Sequence, residues 1–374
     1  MSPELPSFVP GRELSRIFYQ EAVQPILARR FPDLVYGAAL LHTGSDVFGF
    51  DTPLSMDHHW GPKTELYLTE IDLRTGVGDE IRRMLGEELP FEIRGYPTHF
   101  GSPEVPGGRL ERSTQRPINH AVRVYGTPST FLRWYLGVDP LRSAPLHPAE
   151  WLTIPEQHLL TITAGLVFHD GTGELTRARD TLRWYPHDVW LYLLAAQWHR
   201  ISQEEAFMGR CGEVGDELGS RLVAGRLVRE VMRLAFLMER QYAPYAKWFG
   251  TAFSRLASAA RLAPVLEGVV AASSWQQREG LLGRAYERVA EMHNDLKITE
   301  PVPPRATHYF SRHYLVIGAD RFSDAIRAVI QDPAVRSLPA HLGSTTQWAD
   351  STDLLAKPDG PERLRTLYAV KHDG

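Results

Sequence analysis

A glycine, a serine, an aspartate and two histidines stand close together in "HTGSDVFGFDTPLSMDHHWGP", residues 42–62. Gly44-Ser45 follows an apolar run at 34–41, and eleven residues later come Asp57, His58 and His59. A small turn after a strand lets backbone N–H groups approach phosphate oxygens, and the serine hydroxyl adds a donor. A carboxylate on an adjacent strand can hold a divalent cation. Positions i and i+2 of a strand face one side, so Asp57 and His59 are expected to point together. Nucleotidyl transfer needs these parts: a grip on the triphosphate, a cation to neutralise it and an acceptor held in line.

The elements that must position these residues read as an α+β chain. Residues 11–31 carry Leu14, Ile17, Phe18, Ile26 and Leu27 at near-helical spacing, an amphipathic helix. The run at 34–41 predicts a strand covered on both faces. A second strand follows with Leu66, Tyr67, Leu68 and Ile71, then a short helix at 79–89. Residues 91–94 and 120–125 are further strand candidates, separated by a Gly/Pro-rich loop at 95–117. This order predicts an α/β N-terminal domain with a small mixed sheet.

The pattern changes near residue 150, after the Pro-rich linker "PLRSAPLHPAEW". From there to about residue 297 it is mostly helical, with segments expected at 155–168, 174–183, 186–200, 202–212, 216–241, 244–260, 263–271 and 274–295. The tail mixes Pro-rich turns with one helix at 321–331. The expected organisation is a catalytic domain at 1–145, an all-α helical-bundle domain at 150–299 and an extension at 300–374 packing on the others.

Composition narrows the class. The chain has 374 residues, 43% hydrophobic and 23% charged, as ordinary globular proteins do. Net charge is −4 and the pI about 6.4, which calls for no DNA or membrane partner. The one cysteine, Cys211, cannot form an internal disulfide and reads as a small buried hydrophobe in a reducing cytoplasm. The N-terminal residues lack a basic and an apolar region, so no signal peptide is expected. No apolar run approaches the ~20 residues of a membrane span.

Gly-Ser, a spacer, then Asp-x-x59 resembles the signature of the polymerase-β-like nucleotidyltransferase superfamily: Gly-Ser, about ten residues, then Asp-x-Asp/Glu. "GSDVFGFDTPLSMDHHWGP" looks more closely like a bacterial branch of it, the DUF4037 proteins, whose layout is kanamycin-nucleotidyltransferase-like. "WLTIPEQHLLTITAGLVFHDGTGEL", the long block from "WYPHDVW" to "KWFGTAF", and "HLGSTTQWADSTDLL" look like that family's later blocks. The resemblance implies that Gly44 and Ser45 hold the triphosphate and that Asp57 is the first metal ligand. The second acidic ligand should stand at 59, where this chain has His59. Imidazole brings no charge and suits Zn²⁺ or Mn²⁺ better than Mg²⁺. For a third carboxylate or base, Glu92 and Asp72 are candidates on later strands, and Glu213, Asp216 and Glu217 in the helical domain.

Other residues keep two readings. Within the helix at 217–241, Leu227, Val231, Leu234, Ala235 and Met238 share one face, and Arg226, Arg229, Arg233 and Arg240 share the opposite arc. That arc is either a solvated face, with Arg226 and Glu230 paired across one turn, or a basic wall gripping nucleotide phosphates. Lys247 reaches a triphosphate or a base, or packs at the core edge; Tyr245 and Trp248 read as core. His58 and His59 lack the companion pattern of a structural zinc site. His169-Asp170 and His187-Asp188 echo a phosphohydrolase pair, but a turn and a helix start explain both.

The expected function is metal-dependent transfer of NMP from an NTP to a hydroxyl or phosphate acceptor in a cleft between the domains. The cofactors are a divalent metal, Mg²⁺ or Mn²⁺, and the NTP. The acceptor is expected to be a small molecule rather than RNA or protein, though the sequence does not name it, nor the oligomeric state. The alternative is a nucleotide-binding protein whose metal site has decayed at Asp57-x-His59.

Overall fold

The computed structural model describes residues 6–42, 44–56, 60–99, 120–356 and 360–368. The chain is α+β and divides into two compact units. The first comprises Met1–Pro145 and His158–Arg183, the second Leu146–Gln157 and Trp184–Gly374. Residues 158–183, expected in the helical domain, thus fold with the first unit, and the tail belongs to the second.

Eight short strands are described: β1 Tyr36–Leu40, β2 Thr64–Leu68, β3 Glu92–Ile93, β4 Tyr96–Pro97, β5 Val122–Val124, β6 Leu166–Asp170, β7 Thr307–His308 and β8 Leu315–Val316. The first unit is built on a four-stranded mixed sheet in the order β5-β2-β1-β6. β1 runs antiparallel to β2, with Ala39 opposite Glu65, and antiparallel to β6; β2 runs parallel to β5, with Thr64 opposite Val122. Every residue of β1 and β2 is buried. Strand alternation divides β2 between two faces. Leu66 and Leu68 join Ala38, Val122, Phe18, Val23, Leu27, Ile81 and Leu85 in one apolar core, under the helical stretch that starts with Gly11–Phe18 and the helix Val77–Glu88. Glu65 and Tyr67 point to the other face.

Two local expectations fail for visible reasons. The helix expected over 155–168 stops at Ala164, and β6 begins at Leu166. Between them a side chain on Gly165 would stand 2.4 Å from the Leu40 carbonyl, so the backbone passes too close to β1 for any residue but glycine. The second strand ends at Leu68 and does not reach Ile71. Thr69 caps a one-turn helix, Glu70–Arg74, and accepts from the Asp72 N–H. Asp72 is therefore a helix residue of the first turn and no strand carboxylate.

The second unit is helical, with long helices His187–Glu204, Glu217–Met238 and Trp275–Asp295. The apolar face of Glu217–Met238 is as expected: Leu227, Val231, Leu234, Ala235 and Met238 are all buried. The helix Asp320–Val329 packs on His187–Glu204 through Phe322 stacked on Trp198. Glu205 ties its start in place, accepting the N–H groups of Ile317, Gly318 and Ala319. Among the described residues no helix is long and apolar enough to cross a membrane.

Candidate functional site

The Gly44-Ser45 turn lies just past the end of β1. Gly44 has φ 147° and ψ 149°, a region open in practice only to glycine. A Cβ there would also fall 2.0 Å from Asp46 Oδ1. Two independent constraints therefore keep position 44 bare, and the space a side chain would take is filled by the Asp46 carboxylate with the Lys63 ammonium beside it. Ser45 opens the single-turn helix Ser45–Phe48.

A buried acid holds the approach to this turn. Glu65 sits on β2 opposite Ala39, and its carboxylate reaches past the end of β1. It accepts the N–H of Leu41 at 2.7 Å, the N–H of His42 at 2.9 Å and the hydroxyl of Tyr67 at 2.9 Å. These bonds satisfy backbone donors that no longer have a strand partner. Burial pushes the Glu65 carboxyl up to about 7, against the lowering effect of those three donors and of Lys63. Desolvation wins because the group is enclosed on the inner face of the sheet.

Lys63 stands beside the turn. Its Nζ lies 2.7 Å from Asp46 Oδ2 and 3.2 Å from the point a Gly44 Cβ would occupy. The backbone of Lys63 donates to Ser15 Oγ, which fixes where the side chain starts. A second carboxylate pins the loop that follows: Asp51 Oδ2 accepts from the Gly11 N–H at 2.7 Å and from Trp60 Nε1 at 2.9 Å. Asp57, His58 and His59 lie outside the described residues.

Aromatic rings close over the Glu65 side. The His42 ring stacks on Trp134 at 5.6 Å and meets Tyr125 and Tyr135, also at 5.6 Å. Tyr135 in turn covers His158 at 4.5 Å. Burial first, then the neighbouring His42, pulls the His158 imidazole down to about 4, so it is neutral at ordinary pH. Trp134 is half-exposed and offers a ring face at the surface.

Among the described residues no three His, Cys, Asp or Glu side chains come together as a metal-holding group. Asp46 is committed to Lys63, and Glu65 to backbone donors and Tyr67. The donors needed for a dication are not supplied by these residues. Glu92 does not sit in the four-stranded sheet. It is an exposed residue of the small β3–β4 hairpin, paired in register with Pro97.

The remaining expected residues fall in the second unit. Asp216 is the N-cap of Glu217–Met238 and accepts from the Gly219 N–H at 2.7 Å. Arg226 pairs with Glu204 at 2.9 Å and not with Glu230. Glu230 turns inward instead, to Arg200 at 3.1 Å and Gln197 at 2.6 Å. Arg233 is buried 3.8 Å from Glu156, its guanidinium over the Phe249 ring. The arginine arc is therefore split: Arg226 faces solvent, while Arg233 enters the interior. Arg240 lies past the helix end, over Trp190. Lys247 is exposed, its Nζ 5.1 Å above the Trp248 ring. His169 belongs to β6, not to a turn, and Asp188 accepts the N–H groups of Gln331 and Asp332.

The family model described as "Domain of unknown function (DUF4037)" matches residues 151–249. This stretch is similar to that family. No curated protein matches the sequence. A solved structure, that of the nucleotidyltransferase-like protein from Exiguobacterium sibiricum 255-15, is similar at 11% identity, covering 77% of this chain and 78% of that chain, with a TM-score of 0.31. The matched stretch carries Asp216, Arg226, Arg233 and Lys247. It also carries Glu156 and Tyr185, which sequence reasoning did not single out.

In the first unit the residues missed are Glu65 and Lys63. The signal for Glu65 was present in "TELYL", a lone acid inside a strand whose other members are apolar or hydroxylated. Such an acid is rarely buried without dedicated donors. Nothing local marked Lys63, because its partner Asp46 is 17 residues away (63 minus 46) and joins it only through the fold.

Proposed function

We propose that the first unit seats the phosphates of a nucleoside triphosphate at Gly44 and Ser45, and that the protein transfers the NMP to a hydroxyl or phosphate acceptor. The acceptor oxygen attacks the α-phosphorus, the bond to the bridging oxygen breaks and pyrophosphate leaves. The acceptor's proton passes to a carboxylate, for which Glu92 is the candidate in this unit.

The observation that carries the reading is the bare, glycine-only backbone at Gly44, with the lysine ammonium of Lys63 at its side and Glu65 holding the preceding N–H groups. A backbone without a side chain lets phosphate oxygens approach once the Asp46 carboxylate swings aside, and Lys63 supplies a compact positive charge. Asp46 keeps that charge in place. A dication would fall to Asp57 and His59, and a ligand pair with one carboxylate favours Mn²⁺ over Mg²⁺. The histidine at 59 also supports a second reading, a protein that binds the nucleotide without turning it over.

Pyrophosphate release from each of the four NTPs with Mn²⁺, measured with wild type and Gly44→Ala, tests the transferase. Release that Gly44→Ala abolishes is expected. Saturable nucleotide binding with no release under any condition would favour the second reading and overturn the first.

A further inference from the structure

The second unit holds a group of polar side chains that its own packing leaves unmatched. Arg233 is 8% exposed, Glu156 5% and Tyr185 4%. Arg233 and Glu156 are 3.8 Å apart, an ion pair too long for a hydrogen bond between them. The Tyr185 hydroxyl is buried without a hydrogen-bond partner among the described residues. It lies close enough to the Glu156 charge to be pushed well above its ordinary range, after the larger effect of burial.

Buried polar groups are nearly always hydrogen-bonded, and a buried ion pair offsets its desolvation only with good geometry and further bonds. Among the described residues the Arg233–Glu156 pair is long, and the Tyr185 hydroxyl has no hydrogen-bond partner. Rings enclose it: Tyr185 meets Trp151 at 5.7 Å and Tyr242 at 5.2 Å, edge to face, and Phe249 lies under the guanidinium. Glu156 is fixed at its backbone, where its N–H donates to Thr346 Oγ1.

The unmatched capacity is mainly donor capacity. The guanidinium carries five N–H groups and the tyrosine one O–H, against a single carboxylate. The neighbouring arginines have partners of their own: Arg200 pairs with Glu230 at 3.1 Å and Arg229 with Asp350 at 4.0 Å. A ligand that completes this group must therefore be rich in acceptors, and a guanidinium pairs best with an oxyanion.

We propose that Arg233 and Tyr185 form a binding site for a small oxyanion, an inorganic phosphate or the carboxylate of a small acid. The planar guanidinium matches either anion through two parallel hydrogen bonds, and the Tyr185 hydroxyl donates a third. Glu156 stands against the same guanidinium and competes with the anion for it. The site lies within the second unit and does not depend on the phosphate seat at Gly44.

Calorimetric titration of inorganic phosphate, and separately of acetate, into the full-length protein tests the site. Gly44→Ala serves as the background, so that the first-unit seat does not contribute. Saturable binding of one of the two anions is expected. Tyr185→Phe, which keeps the ring and its packing, should weaken that binding about tenfold, the value of one hydrogen bond to a charged partner. Glu156→Gln, which removes the competing charge and keeps the shape, should tighten it. Far-UV circular dichroism and melting of each variant confirm that it is folded. Binding of neither anion would overturn the proposal. So would binding unchanged in Tyr185→Phe or weakened in Glu156→Gln. Preferential binding of tetramethylammonium, lost in Glu156→Gln, would also overturn it, assigning the site to a cation held by the carboxylate and the rings. If Gly44→Ala retains full nucleotide binding while these results hold, the first-unit reading fails and this one stands.

Discussion

Lys63 Nζ sits 2.7 Å from Asp46 Oδ2 at the Gly44-Ser45 turn, with the aspartate side chain only 2% exposed and the lysine 21%. Neither charge would be tolerated there alone. Lys63→Met leaves a buried, uncompensated carboxylate and should destabilise the protein by about 3–5 kcal/mol. The double variant Lys63→Met/Asp46→Asn removes both charges and should recover much of that loss. Urea melts of the two single variants and the double close the cycle. Additive losses would show that the pair is not coupled.

Gly44→Ala places a side chain where backbone conformation and Asp46 both forbid one. The conformational cost alone is about 1–3 kcal/mol. Asp46 must also move, which disturbs Lys63. Nucleotide binding should disappear in this variant while the helical unit keeps its structure. Retained binding with unchanged stability would contradict the geometry at the turn.

Glu65→Gln has a pH signature. The folded carboxyl titrates at about 7, above its ordinary 4.5, so between these values the folded state binds more protons than the unfolded chain. Its contribution to stability is full below pH 4.5 and is lost as the pH rises to 7, an amount of about 3 kcal/mol. The glutamine variant has no such loss. It should be destabilised relative to wild type at pH 5, where the loop-holding bonds are weakened, and less so at pH 8. Equal destabilisation at both values, in matched denaturant melts, would show that the Glu65 carboxyl is not shifted.

The same segment also shows what a sequence can and cannot reveal. The run at 34–41 was legible because a doubly covered strand is continuously apolar, and β1 occupies its centre. The apolar face of Glu217–Met238 was legible from its 3.6-residue period. β6 was not, since five apolar-leading residues after a helix extend its pattern, and only the contact of Gly165 with β1 breaks it. Gly44 and Ser45 stood out by type. Glu65, Lys63 and the Arg233–Glu156 pair became visible only when chain-distant partners met. The opposite arc of the arginine helix misled for the same reason: Arg233 and Glu230 share spacing with exposed neighbours, yet both are buried by other helices.

Two substitutions probe the residues carried over from the resemblance. His59→Asp restores a second carboxylate and should raise Mg²⁺ affinity, read by Mg²⁺-dependent stabilisation in the presence of an NTP. No gain would assign His59 another purpose. Glu92→Gln should abolish Mn²⁺-dependent NTP turnover if Glu92 takes the acceptor's proton. Its exposed place on the β3–β4 hairpin makes this a demanding test, and unchanged turnover would remove it from the mechanism.

The claim that Gly44 and Ser45 seat a nucleotide is tested most directly by thermal shift. The full-length protein is melted with each of the four NTPs, with Mg²⁺, with Mn²⁺ or with neither, beside Gly44→Ala. A ligand at 100 times its Kd adds about 2.7 kcal/mol, a shift of a few degrees. Stabilisation of wild type by at least one NTP, strongest with Mn²⁺ and absent in Gly44→Ala, is the predicted result. A flat response to every NTP and metal would contradict both the transferase and the nucleotide-binding reading.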